Sequence, residues 1–330
     1  MLYGVAIGDA FGAPVEFMSY SAIVAQYGPK GPAGPGMQFT DDTQMTLAVA
    51  DALLSAPRPL KPTTLERALR RELVAWNRSP ENNRAPGVTC ITACNLLADG
   101  RDWLEATALN SKGCGANMRV APVALLNFDR DGVTPRLRAA VAQFQAALTH
   151  GHATALAASD LTCAAIVELL TDGAPAIVEL TDRLRDYAGS QRQVYHEQWL
   201  GDLWRRPGVA TAAQFIATGW AECLAALDKV DAALASEARI DDVCRHVGGG
   251  WIAEEALAAA LLCLMLHRDD PVRVLRQASV TDGDSDSIAA IAGALAGAAY
   301  GISAWPGDWV AGIEATDRIA RLAAEWDQPA

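Results

Sequence analysis

Apolar residues recur at helical spacing along most of this chain. Between Thr64 and Trp76, the side chains of Leu65, Leu69, Leu73 and Trp76 fall on one side of a helix. Arg136–Leu148 and Ala153–Leu170 repeat the pattern with Ala, Val and Leu, and long Ala-rich runs follow at Thr211–Ala235 and Glu254–His267. No series of alternating, β-branched segments separates these runs, so the pattern predicts an all-α protein with helices joined by short Gly, Pro and Asp loops. The run Ile288–Trp305 is nearly all apolar and carries Gly293, Gly297 and Gly301 at four-residue spacing. Length and small-residue spacing would suit a membrane span. Ala and Gly are weakly hydrophobic, however, and an acidic segment leads straight into the run, so a central buried helix closely approached by its neighbours is expected.

No regular repeat, Pro/Ser-rich linker or charge run divides the 330 residues, and the chain is read as one domain, residues 1–330. The irregular GPKGPAGPG stretch, Gly28–Gly36, reads as a surface loop or as a mobile rim over a site. Hydrophobic residues at 51% and charged residues at 20% describe a globular chain. The formal net charge of −12 argues against a nucleic-acid surface, which needs clustered Lys and Arg. A phosphate-bearing substrate would then need local neutralisation by metal or by backbone N–H groups. Seven cysteines without a CxxC pair, in apolar surroundings, suggest reduced thiols. The opening MLYGVAIGDAFG lacks the basic n-region of a signal peptide, so a cytoplasmic protein without a membrane partner is expected.

Two short acidic segments change the picture: FTDDTQ at Phe39–Gln44 and TDGDSDS at Thr281–Ser287. Taken singly, each reads as a helix N-cap, because a side-chain oxygen there satisfies a free backbone N–H and acidic groups suit the helix dipole. Asp41 with Gln44 even fits a relaxed capping box ahead of Met45, Leu47, Val49 and Leu53. A cap needs one such residue, and these segments carry a surplus. Brought together, Asp41, Asp42, Asp284 and Asp286 would put four negative charges in one small volume. Two divalent cations would balance them, and oxygen-only ligands suit Mg²⁺, with Mn²⁺ also admitted.

Three further segments bear on the chemistry. GDAFGAPVEF, Gly8–Phe17, is Gly-rich and ends on Glu16, a single carboxylate in apolar surroundings. In SKGCGANMR, Ser111–Arg119, Gly113 and Gly115 let backbone N–H groups approach a ligand, ahead of a predicted helix at Met118–Leu126 whose N-terminus would favour anions. A Gly-capped turn is the plainer reading of that loop. Arg119 is read as structural, pairing with a nearby acid. Thr149–His150 closes a helix before Gly151; His150 and His152 could suggest a metal pair, but two apart at a helix end they face apart, and an exposed pair is the simpler reading.

In this order, GDAFG with its Glu, TDDTQM, GCGANMR, TH and GDSDS, the segments resemble the ADP-ribosylglycohydrolase family over Gly4 to about Gly301. The resemblance implies a compact orthogonal bundle of many helices that binds two Mg²⁺ ions and cleaves ADP-ribose from modified proteins or small molecules. It implies Thr40, Asp41, Asp42, Asp284, Asp286 and Ser287 as metal ligands. Ser287 stands where many members have Thr, keeps the hydroxyl oxygen, and looks most like the branch acting on ADP-ribosylarginine. Ser111, Lys112, Gly113, Cys114 and Gly115 match the family's pyrophosphate cradle, with Cys114 replacing a common Asn; Met118 lies nearer the distal ribose, and His150 matches a ligand-contacting position. Glu16 or Asp42 is the implied general base. Serine-, nucleic-acid- or small-molecule-linked ADP-ribose, a non-catalytic ADP-ribose-binding protein and a dimetal phosphohydrolase are the alternatives. The expected partners are an ADP-ribosylated protein, met by the loops Asn77–Gly87 and Tyr187–Arg206, and a cognate ADP-ribosyltransferase.

Overall fold

Two antiparallel helices, Leu2–Gly12 and Ser285–Tyr300, form the axis of the molecule, and glycine is what lets them meet. A Cβ on Gly4 would stand 2.0 Å from the Gly293 carbonyl oxygen, one on Gly8 2.0 Å from that of Ala289, and one on Gly12 2.4 Å from the Asp286 Cα. Backbone therefore lies on backbone. The C-terminal end of the first helix is held against the acidic first turn of the second, although the two are separated by most of the chain.

The computed structural model describes residues 1–36, 38–127, 132–236 and 239–327. No β-strand occurs among them; isolated bridges join Ala108 to His150 and Gly113 to Ile252. The helices Asp41–Ser55, Pro62–Asn77 and Val88–Ala98 pack in succession on one side. On the other, Ala153–Asp172 touches Pro135–Ala147, Ala212–Leu234, Ala253–Leu266 and the axial Ser285–Tyr300. The main core is a continuous cluster reaching from Val5 to Trp326. The all-α expectation holds, and Pro62–Asn77 buries Leu65, Leu69, Leu73 and Trp76 as their spacing predicts.

Ala153–Asp172 is long and apolar enough to cross a membrane by length and composition, yet 78% of its apolar window is buried inside the fold. Of the Ile288–Trp305 run, only the part up to Tyr300 belongs to the axial helix, which starts at Ser285, carries Asp286 in its first turn and is buried through Ala298. Gly301, at φ +74°, ends the helix, and Ile302–Ala304 follows as a 3₁₀ turn. The Gly28–Gly36 stretch is tied to the body rather than free. The Gly36 N–H donates to the Ala10 carbonyl at 2.7 Å, and Arg276 donates to the Ala33 carbonyl at 3.1 Å.

One predicted helix is absent. Met118–Leu126 is not α-helical; short 3₁₀ turns occupy Cys114–Ala116 and Ala121–Leu125. Pro122 has no N–H to give to the Met118 carbonyl, which is the bond a helix through this stretch would require. That carbonyl instead lies 3.4 Å from the Thr46 hydroxyl, which donates to it.

Candidate active site

The site begins at Asp9, a fully buried carboxylate near the end of the first helix. Its Oδ1 accepts from the Thr40 N–H at 2.8 Å and the Thr40 hydroxyl at 2.9 Å. Its Oδ2 accepts from the Thr43 N–H at 2.9 Å and the Thr43 hydroxyl at 2.6 Å. Asp9 thus caps the Asp41–Ser55 helix from another element, while Thr40 is its own N-cap, its hydroxyl accepting from the Asp42 N–H at 3.4 Å. Asp41 is therefore not the cap, and the capping work that could have explained the acidic surplus is done by Thr40 and Asp9. Asp41 and Asp42 are left as buried carboxylates, and Asp42 Oδ1 has no hydrogen-bond partner.

Across from them stands the start of the Ser285–Tyr300 helix. Asp284 is its N-cap and Asp286 lies in its first turn. Carboxylate oxygens of Glu16, Asp284 and Asp286 fall within 4.8 Å of one another, a group able to hold a cation. Glu16 reaches this group from the turn that follows the short Ala13–Val15 3₁₀ segment. The remaining acid of the second segment, Asp282, points elsewhere: it accepts from the Tyr20 N–H at 2.5 Å and from Arg245.

Crowding has an electrostatic consequence. Burial first, and the Asp286 charge second, hold Asp41, Asp42 and Asp284 well above the usual carboxylate range. The same causes, in the same order, push Glu16 up to about 9, with Asp41 adding to them, and Asp9 up to about 7 against its four hydrogen bonds. Charges this close and this dry resist ionisation together unless positive charge is supplied. Hard carboxylate and hydroxyl oxygens, one of them unpartnered, fit Mg²⁺ or Mn²⁺.

Asp41, Asp42, Asp284, Asp286, Ser287 and Glu16 share a cavity of about 200 Å³ with Gly113, Cys114, Gly115, Met118 and His150. The structure brings these predicted residues together, and Thr40 stands beside them on Asp9. Ser111 and Lys112 do not line the cavity. The Lys112 ammonium is held by Glu222 at 2.7 Å and Glu254 at 2.5 Å, and the Ser111 hydroxyl pairs with that of Thr89 at 3.1 Å. The loop is also less open in its backbone than its glycines suggest. The Cys114 N–H donates to the Trp251 carbonyl at 3.0 Å, and the Gly113 N–H lies 3.4 Å from the Ser111 hydroxyl. Gly115 is needed for packing: a Cβ there would lie 2.7 Å from the Cys90 sulfur and 3.2 Å from the His150 ring.

His150 is buried, not exposed, and His152 is the N-cap of Ala153–Asp172, accepting from the Thr154 N–H at 3.2 Å. Arg119 is structural but pairs with no acid among the described residues; it is fully buried and donates to Gln145 and Thr149.

Several residues of the site escaped the sequence reading. Asp9 had a visible signal, a lone acid inside an apolar helical run. The Gly87–Cys90 helix start lines the cavity without a side-chain cap; the Gly87 N–H is taken by the Asp41 carboxyl, and the N–H groups that follow it suit an anion better than the absent Met118 helix would. Trp251, 45% exposed, stacks on Phe17 at 5.8 Å between ring centroids at the cavity mouth. On the outer side of Glu16, a wider depression of about 920 Å³ is bordered by Phe39, Ala85 and the Arg84–Glu314 ion pair. Ala85 and Gly87 of the Asn77–Gly87 loop border these cavities. No residue of Tyr187–Arg206 does: Tyr187 donates to Asp160, Tyr195 packs on Phe215 and Trp199 on Phe144.

The all-helical fold thus brings acids from both chain ends to face a glycine-lined pocket, the setting of a hydrolase that acts on an anionic substrate. The chain belongs to the ADP-ribosylglycohydrolase family, whose model matches residues 1–329. It is 28% identical over 334 residues to the ADP-ribosylarginine hydrolase Tri1 of Pseudomonas putida, covering 98% of this chain and 76% of that protein. It is 27% identical over 322 residues to the ADP-ribosyl-[dinitrogen reductase] glycohydrolase of Rhodospirillum rubrum, covering 94% and 88%. A solved ADP-ribosylglycohydrolase-related protein complex has the same fold, with a TM-score of 0.67 at 24% identity over 98% of this chain and 94% of that one. The protein is therefore a hydrolase of ADP-ribosyl groups.

Proposed function

We propose that this enzyme removes ADP-ribose from modified protein side chains, arginine foremost, at a dinuclear Mg²⁺ site. The observation that carries the reading is the meeting of Asp41, Asp42, Asp284, Asp286 and Glu16 in the cavity that also holds Gly113, Gly115 and His150. The metal ligands would be Thr40, Asp41, Asp42, Asp284, Asp286 and Ser287. When bound, the ions supply charge balance for the carboxylates and acidity for a coordinated water.

The chain's own residues account for the rest. Pyrophosphate fits the side of the cavity formed by Gly113–Gly115, His150 and the Gly87–Cys90 helix start. The modified side chain would enter from the wider depression outside Glu16. Hydrolysis passes through an oxocarbenium-like state at the anomeric carbon, which nearby carboxylates stabilise. Water adds to that carbon as the bond to the guanidinium nitrogen breaks, and the bonding pair leaves with the guanidine. An arginine-linked group departs from a guanidinium that is already protonated, so it needs no strong acid. Glu16 or Asp42 takes the proton of the water. A cytoplasmic setting and a cognate ADP-ribosyltransferase as the source of the modified target belong to the same reading.

The test is incubation with arginine-, serine- and nucleic-acid-linked ADP-ribose, with Mg²⁺ and with chelator, for wild type and Asp286→Ala. Release from arginine that stops with chelator and falls at least a hundredfold in Asp286→Ala is expected. Equal release in chelator would remove the metal from the reaction, faster release from another linkage would reassign the substrate, and release of free phosphate would indicate a phosphohydrolase.

A further inference from the structure

His150 is buried against the cradle glycines, and its two ring nitrogens face different surroundings. Nδ1 lies 2.8 Å from the Thr149 hydroxyl. Nε2 is on the side of Gly113 and Gly115, 3.4 and 3.5 Å from where their Cβ atoms would be, and has no hydrogen-bond partner among the described residues. Which nitrogen carries the proton decides whether the ring offers the cavity a donor or a lone pair.

The surroundings of Thr149 settle the direction. Arg119 Nη2 donates to the Thr149 oxygen at 2.9 Å, so that oxygen is already an acceptor and its single proton must go elsewhere. The Ala146 carbonyl is a poor destination: it lies 3.5 Å away and already accepts the Thr149 N–H at 3.1 Å and the His150 N–H at 2.8 Å. The remaining acceptor is His150 Nδ1. A hydroxyl dipole whose oxygen faces a guanidinium also turns its proton away from that charge, toward the ring.

Arg119 itself is held so that it cannot do otherwise. Its Nε donates to Gln145 Oε1 at 2.9 Å and its Nη2 to the Gln145 carbonyl at 2.8 Å, with the Met45 and Cys90 sulfurs beside Nη1. A fully buried guanidinium without a paired carboxylate is costly. Burial pulls its pKa below the usual arginine value, and the neighbouring Cys90 and Cys94 thiols, with Asp41 after them, act against that pull.

We propose that Arg119, acting through the Thr149 hydroxyl, fixes His150 in the tautomer protonated at Nε2, so that a neutral ring donates a hydrogen bond to a phosphate or ribose oxygen of ADP-ribose. The donor role rests on the reading of the cavity given above; the tautomer does not. Burial and the Arg119 charge push His150 down to about 3, which agrees with a neutral donor. Arg119 and Thr149 are positioning residues.

The test reads the tautomer directly, by ¹⁵N chemical shifts of histidine-labelled ligand-free protein, with His150 assigned from His150→Gln. Replacing Arg119 is a poor probe, since it strands Gln145 and Thr149 in the core and unfolding would mimic loss of function. Thr149→Val keeps the shape and removes the hydroxyl, and Thr149→Ser restores it. A pyrrole-type shift at Nε2 is expected in wild type and Thr149→Ser, and mixed tautomers in Thr149→Val. ADP-ribose affinity should fall about tenfold in Thr149→Val and recover in Thr149→Ser, as for one hydrogen bond to a charged oxygen. A wild-type proton on Nδ1, or an unchanged tautomer in Thr149→Val, would overturn the relay. Wild-type protein with the expected shifts but no ADP-ribose binding would support the relay and overturn the donor role.

Discussion

Asp9 shows how a single residue frees others for chemistry. By taking hydrogen bonds from Thr40 and Thr43 it caps the Asp41–Ser55 helix, so the helix makes no demand on Asp41 or Asp42. Asp9→Asn replaces one accepting oxygen by a donor facing donors. It should cost about 1–3 kcal/mol of stability and weaken Mg²⁺ binding, measured by thermal melting and by titration calorimetry. The raised carboxyls predict a pH dependence with a definite sign. Between the ordinary carboxylate range and about 9 for Glu16 or about 7 for Asp9, the folded metal-free chain keeps protons that the unfolded chain has lost. Its stability therefore falls as pH rises through that window, and added Mg²⁺ should relieve the loss. The gain in melting temperature from Mg²⁺ should be larger at pH 8 than at pH 6, and equal gains would separate these carboxyls from the cation. Sequence alone pointed to most of the acids, because aspartates next to hydroxyls are dense there; it missed Asp9, whose partners are 31 and 34 residues away.

Among the elements, the crossing of Leu2–Gly12 with Ser285–Tyr300 places Glu16 beside Asp284 and Asp286. Gly8→Ala would drive a methyl to 2.0 Å from the Ala289 carbonyl oxygen, and neither partner is a flexible side chain that can yield. The helices must separate, with an expected loss of about 2–4 kcal/mol and reduced hydrolase activity. Gly28→Ala is a control for general glycine effects: nothing lies near its Cβ, so any cost comes from its φ of +81° alone. Denaturant melts of both variants check this, and a Gly8→Ala midpoint equal to wild type would refute the crossing. Helices with a clear apolar stripe were legible from spacing, as Pro62–Asn77 shows. Met118–Leu126 was not, because Pro122 and the side-chain anchoring of Asn117 and Arg119 outweigh its apolar composition.

For the whole molecule, the cavity draws on both ends of the chain, and ligands that bridge it should fasten them together. Mg²⁺ with ADP-ribose should raise the melting temperature by more than either alone, in one cooperative transition, by preferential binding to the folded state. Calorimetry checks this, and two separated transitions would divide the molecule at the site. The sequence by itself determined the helical class, through the 3.6-residue period of its apolar positions, and the stock of oxygen ligands, through the residues present in two local segments. It also carried the family resemblance, through short motifs in a fixed order along the chain. Only the tertiary structure decided that Asp9 does the capping, that the Lys112 ammonium turns to Glu222 and Glu254, that Gly87–Cys90 opens on the cavity and that Arg119 stands behind His150. Each of these depends on which distant backbone lies within hydrogen-bond reach, and spacing along one segment does not encode that distance.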